Sequence, residues 1–384
     1  MKRIFYAERD TTLYERYADR NAGVDEILEL TKTASGSRLS GVILANTYNS
    51  RILIDFGTEI TALSQSIVSG DIPNINSIYS SASVYLNLHA ADASDLLQTY
   101  KLEAYPVSES WDNGGGTYSD TPETKIGASW GGRKGDSIAQ NTIKWNTGSA
   151  HSKNTSAGAT IVAGGGTWIT GSGYSGSQIF TNTAPDMRMD VTDIVKNWVA
   201  GNATNNGFII KRSSTDELSG DVLGSLKFFS RESHTIFVPR LEVCWDDSAI
   251  GSTDNVITSN TYVPYFKNIK PEYRTSEITR FFVGVRPEFP VKTYATSSFY
   301  KTNDQLPVSS SYEIIDSVTN DIIIKDEKIY GNSHTKISVN NTNGSFFDLR
   351  MDSFMPERYY KIKLTCRRSN DTQTFDNFYF KVVN

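Results

Sequence analysis

DVTDIVKNWVAGNATNNGFIIK, residues 190–211, decides the fold, together with KFFSRES at 227–233 and PRLEVCW at 239–245. Thr192, or Asp190 two residues earlier, can cap a short helix, with Asp193 in its first turn, where a negative charge suits the helix dipole. Ile194, Val195, Trp198 and Val199 then fall on one face, and Gly201 supplies a left-handed stop. Two turns of helix cannot stand alone, so this one must lie on a sheet. Asn206-Gly207 signals a turn, and Phe208, Ile209 and Ile210 open a strand directly after it. In PRLEVCW, Leu241, Val243 and Trp245 alternate with Arg240, Glu242 and Cys244, the pattern of a half-buried strand.

The chain of 384 residues is long enough for two domains with real cores. Abundant Gly, Ser, Thr and Asn between short apolar runs, with many aromatics, favour an all-β, loop-rich protein. A formal net charge of -5 without a basic block argues against a nucleic-acid surface. The pairs Lys2-Arg3, Arg133-Lys134 and Arg367-Arg368 read as solvated strand ends and loops. Cys244 and Cys366 are too few for a disulfide framework and read as buried thiols. No apolar run is long enough to span a bilayer, and the opening MKRIFYAERDTTLYE lacks the apolar core of a signal peptide.

Strands are expected at 4–13, 27–30, 50–56, 84–88 and 100–105, with a helix over GTEITALSQSIVSG capped by Thr58 and ended by Gly70. Between these and the decisive stretch lies 108–186, rich in glycine and carrying Trp111, Trp130, Trp145 and Trp168. Indoles need somewhere to go, so this segment is expected to form ordered loops folded over an edge or end of the sandwich. A polar segment after Trp245 reads as a linker, 248–265. Strands expected at 277–285, 311–316, 321–325, 335–339, 345–351, 359–367 and 375–383 then make a second sandwich of immunoglobulin-like size over 266–384.

The order D-V-T-D, apolar helix, Trp, Gly, N-N-G, strand, S-R-E, P-R-L, strand resembles the closing half of the DNRLRE domain, a β-sandwich related to carbohydrate-binding modules. Its motif maps onto Asp190, Thr192, Asp193, Trp198, Gly201, Gly207, Ser230, Arg231, Pro239 and Trp245. Residues 1–247 are therefore expected to be a jelly-roll-like DNRLRE sandwich. The ending through FFSRES and CWDD, followed by GSFFDLRMDSFMPERYYKIKL, is similar to structural proteins of tailed bacteriophages. That resemblance implies a virion protein made in the host cytoplasm, assembling with other virion proteins as a homo-oligomer in a symmetric particle, without enzymatic activity.

Candidate chemistry is sparse. His89, His151, His234 and His334 form no short ligand spacing, and GGRKGDS at 131–137 lacks the order of a phosphate loop. No serine sits in a G-x-S-x-G elbow. Glu109, Asp112, Asp120 and Glu123 are the loop acids from which a glycan-degrading enzyme would draw its catalytic pair. Calcium is the ion that β-sandwich loops most often hold, and Asp112 and Asp246-Asp247 are its candidate ligands. The carbohydrate-binding resemblance also implies an adhesion module in which Trp111, Trp130 and Trp168 stack on a glycan or touch a partner, while Ser230 and Arg231 read as a hydrogen-bonding element at a strand end.

Overall fold

The computed structural model describes all residues except 40–41, 78–79, 147–163, 182–185, 252–254, 290–303, 341 and 369–370, and for 35–39, 42–46 and 330 the backbone alone. The chain divides into two compact units, a larger one of Phe5–Ile78 and Ser83–Glu242, and a C-terminal one of Met1–Ile4, Tyr79–Ala82 and Val243–Asn384. Both are built mainly of antiparallel strand pairs, so the protein is an all-β sandwich structure. The sequence places the boundary after residue 247. The first four residues, expected in the N-terminal sandwich, belong to the C-terminal unit.

The strands as far as the boundary are β1 (Lys2–Tyr6), β2 (Arg9–Tyr14), β3 (Ile27–Leu39), β4 (Val42–Asp55), β5 (Ser83–Leu88), β6 (Ala90–Ser94), β7 (Thr99–Pro106), β8 (Gly132–Lys134), β9 (Ile143–Lys144), β10 (Gly176–Thr181), β11 (Met187–Asp190), β12 (Phe208–Arg212), β13 (Gly224–Phe229) and β14 (Arg240–Cys244). Three helices join them: α1 (Gly57–Ser69), α2 (Thr192–Val199) and α3 (Ser214–Leu218). One sheet runs β10-β7-β12-β4-β3-β13-β6, with β2 also on β4. The other runs β1-β14-β5-β11.

The first expected strand, 4–13, is two strands in different sheets. Between them the Ala7 amide donates to Pro239 and the Glu8 amide to Asp55, which carries the chain from one sheet to the other. The strands at 27–30 and 50–56 prove to be parts of the long antiparallel pair β3 and β4. β14, expected to be half-buried, is buried along its whole length because it lies between β1 and β5. Its two charged residues of the larger unit answer each other, Arg240 and Glu242 at 3.3 Å, and Arg188 adds a second cation to Glu242 at 3.5 Å.

Antiparallel register gives the large sheet two faces. Ile52, Ile54, Phe208, Ile210, Leu102 and Ala104 share one, all fully buried. In the second sheet Leu86 and Leu88 pair with Met189 and Met187 on a face that is also buried. α2 joins this core by laying Trp198 against Phe208, ring centroids 4.6 Å apart. Neither Thr192 nor Thr58 caps its helix. Thr192 accepts from the Val84 amide at 2.8 Å and ties α2 to β5, while Asp190 accepts the Thr192 amide at 2.9 Å. At α1 the Glu8 carboxylate, not Thr58, receives the first amides. Gly70 and Gly201 end their helices in the left-handed region as expected, at φ 83° and 74°.

The C-terminal unit adds β15 (Tyr262–Phe266), β16 (Glu272–Arg274), β17 (Ile278–Pro287), β18 (Ser311–Asp316), β19 (Ile322–Ile324), β20 (Ser338–Asn340), β21 (Gly344–Arg350), β22 (Arg358–Arg367) and β23 (Thr372–Val383). They form two sheets, β15-β17-β21-β20 and β16-β23-β22-β18-β19. The seven expected strands are all present within a few residues of their expected ends, and β15 begins inside the segment expected to be linker. An aromatic core fills the unit: Phe281 stacks on Phe347 at 5.5 Å, and Phe347 on Tyr312 at 4.2 Å.

Candidate functional site

The second face of the large sheet carries the unusual chemistry. Register places Leu13 and Arg51 opposite each other, Thr11 opposite Leu53, Ile209 between Leu53 and Tyr105, and Lys211 opposite Glu103. A strand face with two cations and a carboxylate normally looks at water. Here Arg51 is 2 % exposed and Lys211 fully buried.

α3 brings the missing counter-charge. Ser213 caps it by accepting the Asp216 amide at 3.2 Å, and the next residue, Glu217, turns onto the sheet. Arg51 donates through Nε and Nη2 to the two carboxylate oxygens, both at 2.9 Å, and Lys211 Nζ stands 3.3 Å from Oε2. Burial alone would raise the Glu217 pKa, but Arg51 and Lys211 outweigh it and hold the carboxyl below its usual range. Burial pulls Lys211 down, with Glu217 working against that pull. Glu103 completes the group, 3.8 Å from Lys211, and accepts from Tyr105 Oη at 3.0 Å. Burial, with Glu103 beside it, pushes Tyr105 up to about 12. Lys32 points its ammonium at the carbonyls ending α3, including Ser219 at 2.7 Å, where a cation complements the helix dipole.

The described parts of the glycine- and tryptophan-rich segment are the roof over this group, and 147–163 and 182–185 lie outside the described residues. Trp111, Trp130, Trp145 and Trp168 pack with Val107 and Ala128 on Leu13, Leu53 and Ile209. The Arg51 guanidinium lies 4.8 Å from the Trp130 ring and 5.1 Å from that of Trp168, and donates to the Gly165 carbonyl at 2.7 Å. Glycine is required at 165, where φ is +82° and a Cβ would stand 2.6 Å from Arg51 Nη1 and 2.7 Å from the Trp130 ring. The indole N–H groups of Trp111 and Trp145 donate to the carbonyls of Asn206 and Ser129, both at 2.9 Å. These loops therefore cover a sheet face and not the edge or end expected from sequence. Trp111, Trp130 and Trp168, named as possible glycan or partner contacts, are 0, 2 and 6 % exposed and form its hydrophobic layer.

The loop acids have partners within the larger unit. Glu109 accepts from Thr167 at 2.6 Å and lies 3.4 Å from Arg133, Asp112 pairs with Lys134 at 3.3 Å, and Glu123 pairs with Arg20. Asp120 accepts from Thr117 and Thr124, which lower its pKa. Of the calcium candidates, Asp247 accepts the Met1 ammonium at 2.6 Å and Asp246 accepts from Ser248. His89 follows β5, His234 sits in a left-handed turn and His334 in a buried turn of the C-terminal unit, and His151 lies outside the described residues.

The motif residues prove to be joints. Ser230 donates to the Asp25 carbonyl at 2.5 Å, and the Arg231 amide donates to Asp10 at 2.8 Å. Gly207, at φ +84°, sits where a Cβ would stand 2.3 Å from the Ile54 carbonyl oxygen, and the Pro239 carbonyl receives the Ala7 amide. In the C-terminal unit the Trp245 amide donates to Met1 O at 3.0 Å. Sequence reading missed Arg51, Glu103, Lys211 and Glu217. Their local signals were the Ser213–Asp216 cap and a lysine breaking the apolar run Phe208–Ile210.

Chemically this arrangement fixes charge. With both Glu217 oxygens engaged by cations, the group acts as a permanent counter-ion and not as a proton carrier. No protein-family model matches the chain, and a comparison with curated proteins finds no match.

Proposed function

We propose that this chain is a non-enzymatic structural component of a tailed-bacteriophage particle, at the head surface, neck or tail, acting by protein–protein assembly in several symmetric copies. The observation that carries the reading is the roof: four indoles that a binding loop would present are spent on covering the chain's own charged sheet face. A loop of that kind stiffens a domain and leaves contact to its outer surface. The resemblance of the FFSRES-to-CWDD stretch and of the ending GSFFDLRMDSFMPERYYKIKL to phage structural proteins supplies the setting. The acids of the roof, held by Arg133, Lys134, Arg20 and threonines, support a scaffold more than a glycan-degrading centre.

The test is electron microscopy of particles purified from a phage that encodes the chain with a label attached. A label at one fixed, symmetric position supports the reading and says whether it is head, neck or tail. Particles that lack the chain altogether overturn it.

A further inference from the structure

The geometry points to a neutral-oligosaccharide binding platform on the outer face of the β16-β23-β22-β18-β19 sheet, centred on Tyr359 and Tyr379. This goes beyond the assembly role and involves neither the tryptophan roof nor its loops. The two tyrosines are 53 and 52 % exposed, whereas Tyr360, Phe380 and Val382 beside them face the core. Register pairs Tyr359 with Lys381 and Lys361 with Tyr379, so rings and ammonium groups alternate in a two-by-two square. The tyrosines occupy its diagonal, about 7–8 Å apart. Lys381 Nζ lies 5.9 Å from the Tyr359 ring. The row through Tyr379 and Lys361 continues to Ile315 and the exposed Ile322.

Three features select the ligand. Each lysine of the face has its own carboxylate, Lys361 with Asp376 at 3.5 Å, Lys363 with Glu313 at 3.0 Å and Lys381 with Glu357. A face so balanced has little attraction for a polyanion. The ladder slips between Ile362 and Leu364, leaving Asp376 and Asn377 both opposite Lys363 and adding an amide to the rim. Flat rings among fixed donors and acceptors match a pyranose, whose C–H face stacks on an aromatic ring while its hydroxyls reach polar groups. A protein partner fits less well. Two half-exposed rings of roughly 200 Å² each, plus one isoleucine, fall far short of the about 800 Å² per side of a stable interface.

The full-length chain should be applied to an array of neutral hexasaccharides built from glucose, galactose, mannose or N-acetylglucosamine, with the best of these titrated by calorimetry. The expected result is binding that is indifferent to salt between about 0.05 and 0.5 M. Tyr359→Ala with Tyr379→Ala should weaken it at least about tenfold, while the paired Phe variants stay close to wild type. Both tyrosines face outward, so an unchanged circular dichroism spectrum and melting temperature certify the fold of each variant. The proposal is overturned by no retention on the array, by binding that survives the double alanine change, or by retention confined to an anionic polysaccharide and lost with salt.

Discussion

Arg51 of β4 and Glu217 of α3, 166 residues apart in the chain, meet in a two-pronged ion pair with both N–O distances at 2.9 Å and both side chains 2 % exposed. Desolvating such a pair is costly, and removing one partner strands the other. Glu217→Gln is expected to destabilise the larger unit by about 3–5 kcal/mol because it leaves Arg51 and Lys211 facing each other. Arg51→Met should cost a similar amount, and the double variant should recover part of the loss, since Lys211 keeps Glu103. Urea unfolding followed by tryptophan fluorescence measures this, with Trp130 and Trp168 beside Arg51 as reporters. A Glu217→Gln protein as stable as wild type would show that the ion pair does not hold the roof down.

The roof's fit can be tested by two alanine substitutions at nearly the same backbone angle. Gly70 has φ +83° and nothing within 4 Å of where its Cβ would stand; Gly165 has φ +82° and meets Arg51 and Trp130. Gly70→Ala is expected to cost only the left-handed strain, about 1–2 kcal/mol. Gly165→Ala should exceed it by a further ~1–3 kcal/mol of overpacking. Equal melting shifts would mean that the roof can lift locally.

The elements legible in the sequence were those whose signal is local. Strands β17 to β23 and helices α1 and α2 announced themselves by alternation, by apolar spacing and by Gly70 and Gly201. The split between β1 and β2 was not legible, because no glycine or proline interrupts 4–13 and only the amide bonds of Ala7 and Glu8 to opposite sheets divide it. The candidate site was hidden for a related reason. Arg51, Glu103, Lys211 and Glu217 come from β4, β7, β12 and α3, and nothing in the sequence spacing says that they converge. Four tryptophans among glycines showed that the loops are ordered. They could not show which face those indoles cover.

Asp10 gives the larger unit a dependence on pH. It lies on β2 at 2 % exposure, accepts the Arg231 amide, and is pushed by burial up to about 7, with the Glu232 charge adding to the rise and Arg231 opposing it. An acid whose folded pKa exceeds its unfolded value binds its proton more tightly when folded. Stability therefore falls as pH rises from about 4 to about 7 and levels off above, with a limiting slope of about 1.4 kcal/mol per pH unit. Asp25, raised to about 6, acts in the same direction. Asp10→Asn removes the first contribution alone. The variant's stability advantage over wild type should grow from pH 5 to 7 and then hold constant in urea titrations across that range. An advantage independent of pH would place the Asp10 proton elsewhere.

The outer side of the roof gives the assembly reading its own test. Ile126, Ile138 and Ile143 are 57, 72 and 46 % exposed on the small structure formed where Ile126 bridges to Asp136 and β8 pairs with β9. Exposed isoleucines cost solubility unless something covers them, and none of the three belongs to the buried indole layer. Ile126→Asn with Ile138→Asn is expected to leave the unfolding midpoint within about 0.5 kcal/mol of wild type. The same variant should lower the amount of chain in purified particles several-fold, measured by quantitative blotting against a major particle protein. If incorporation is normal, this surface is not the contact, and the search for it moves to the sheet edges. If incorporation and stability fall together, the isoleucines belong to the fold and say nothing about assembly.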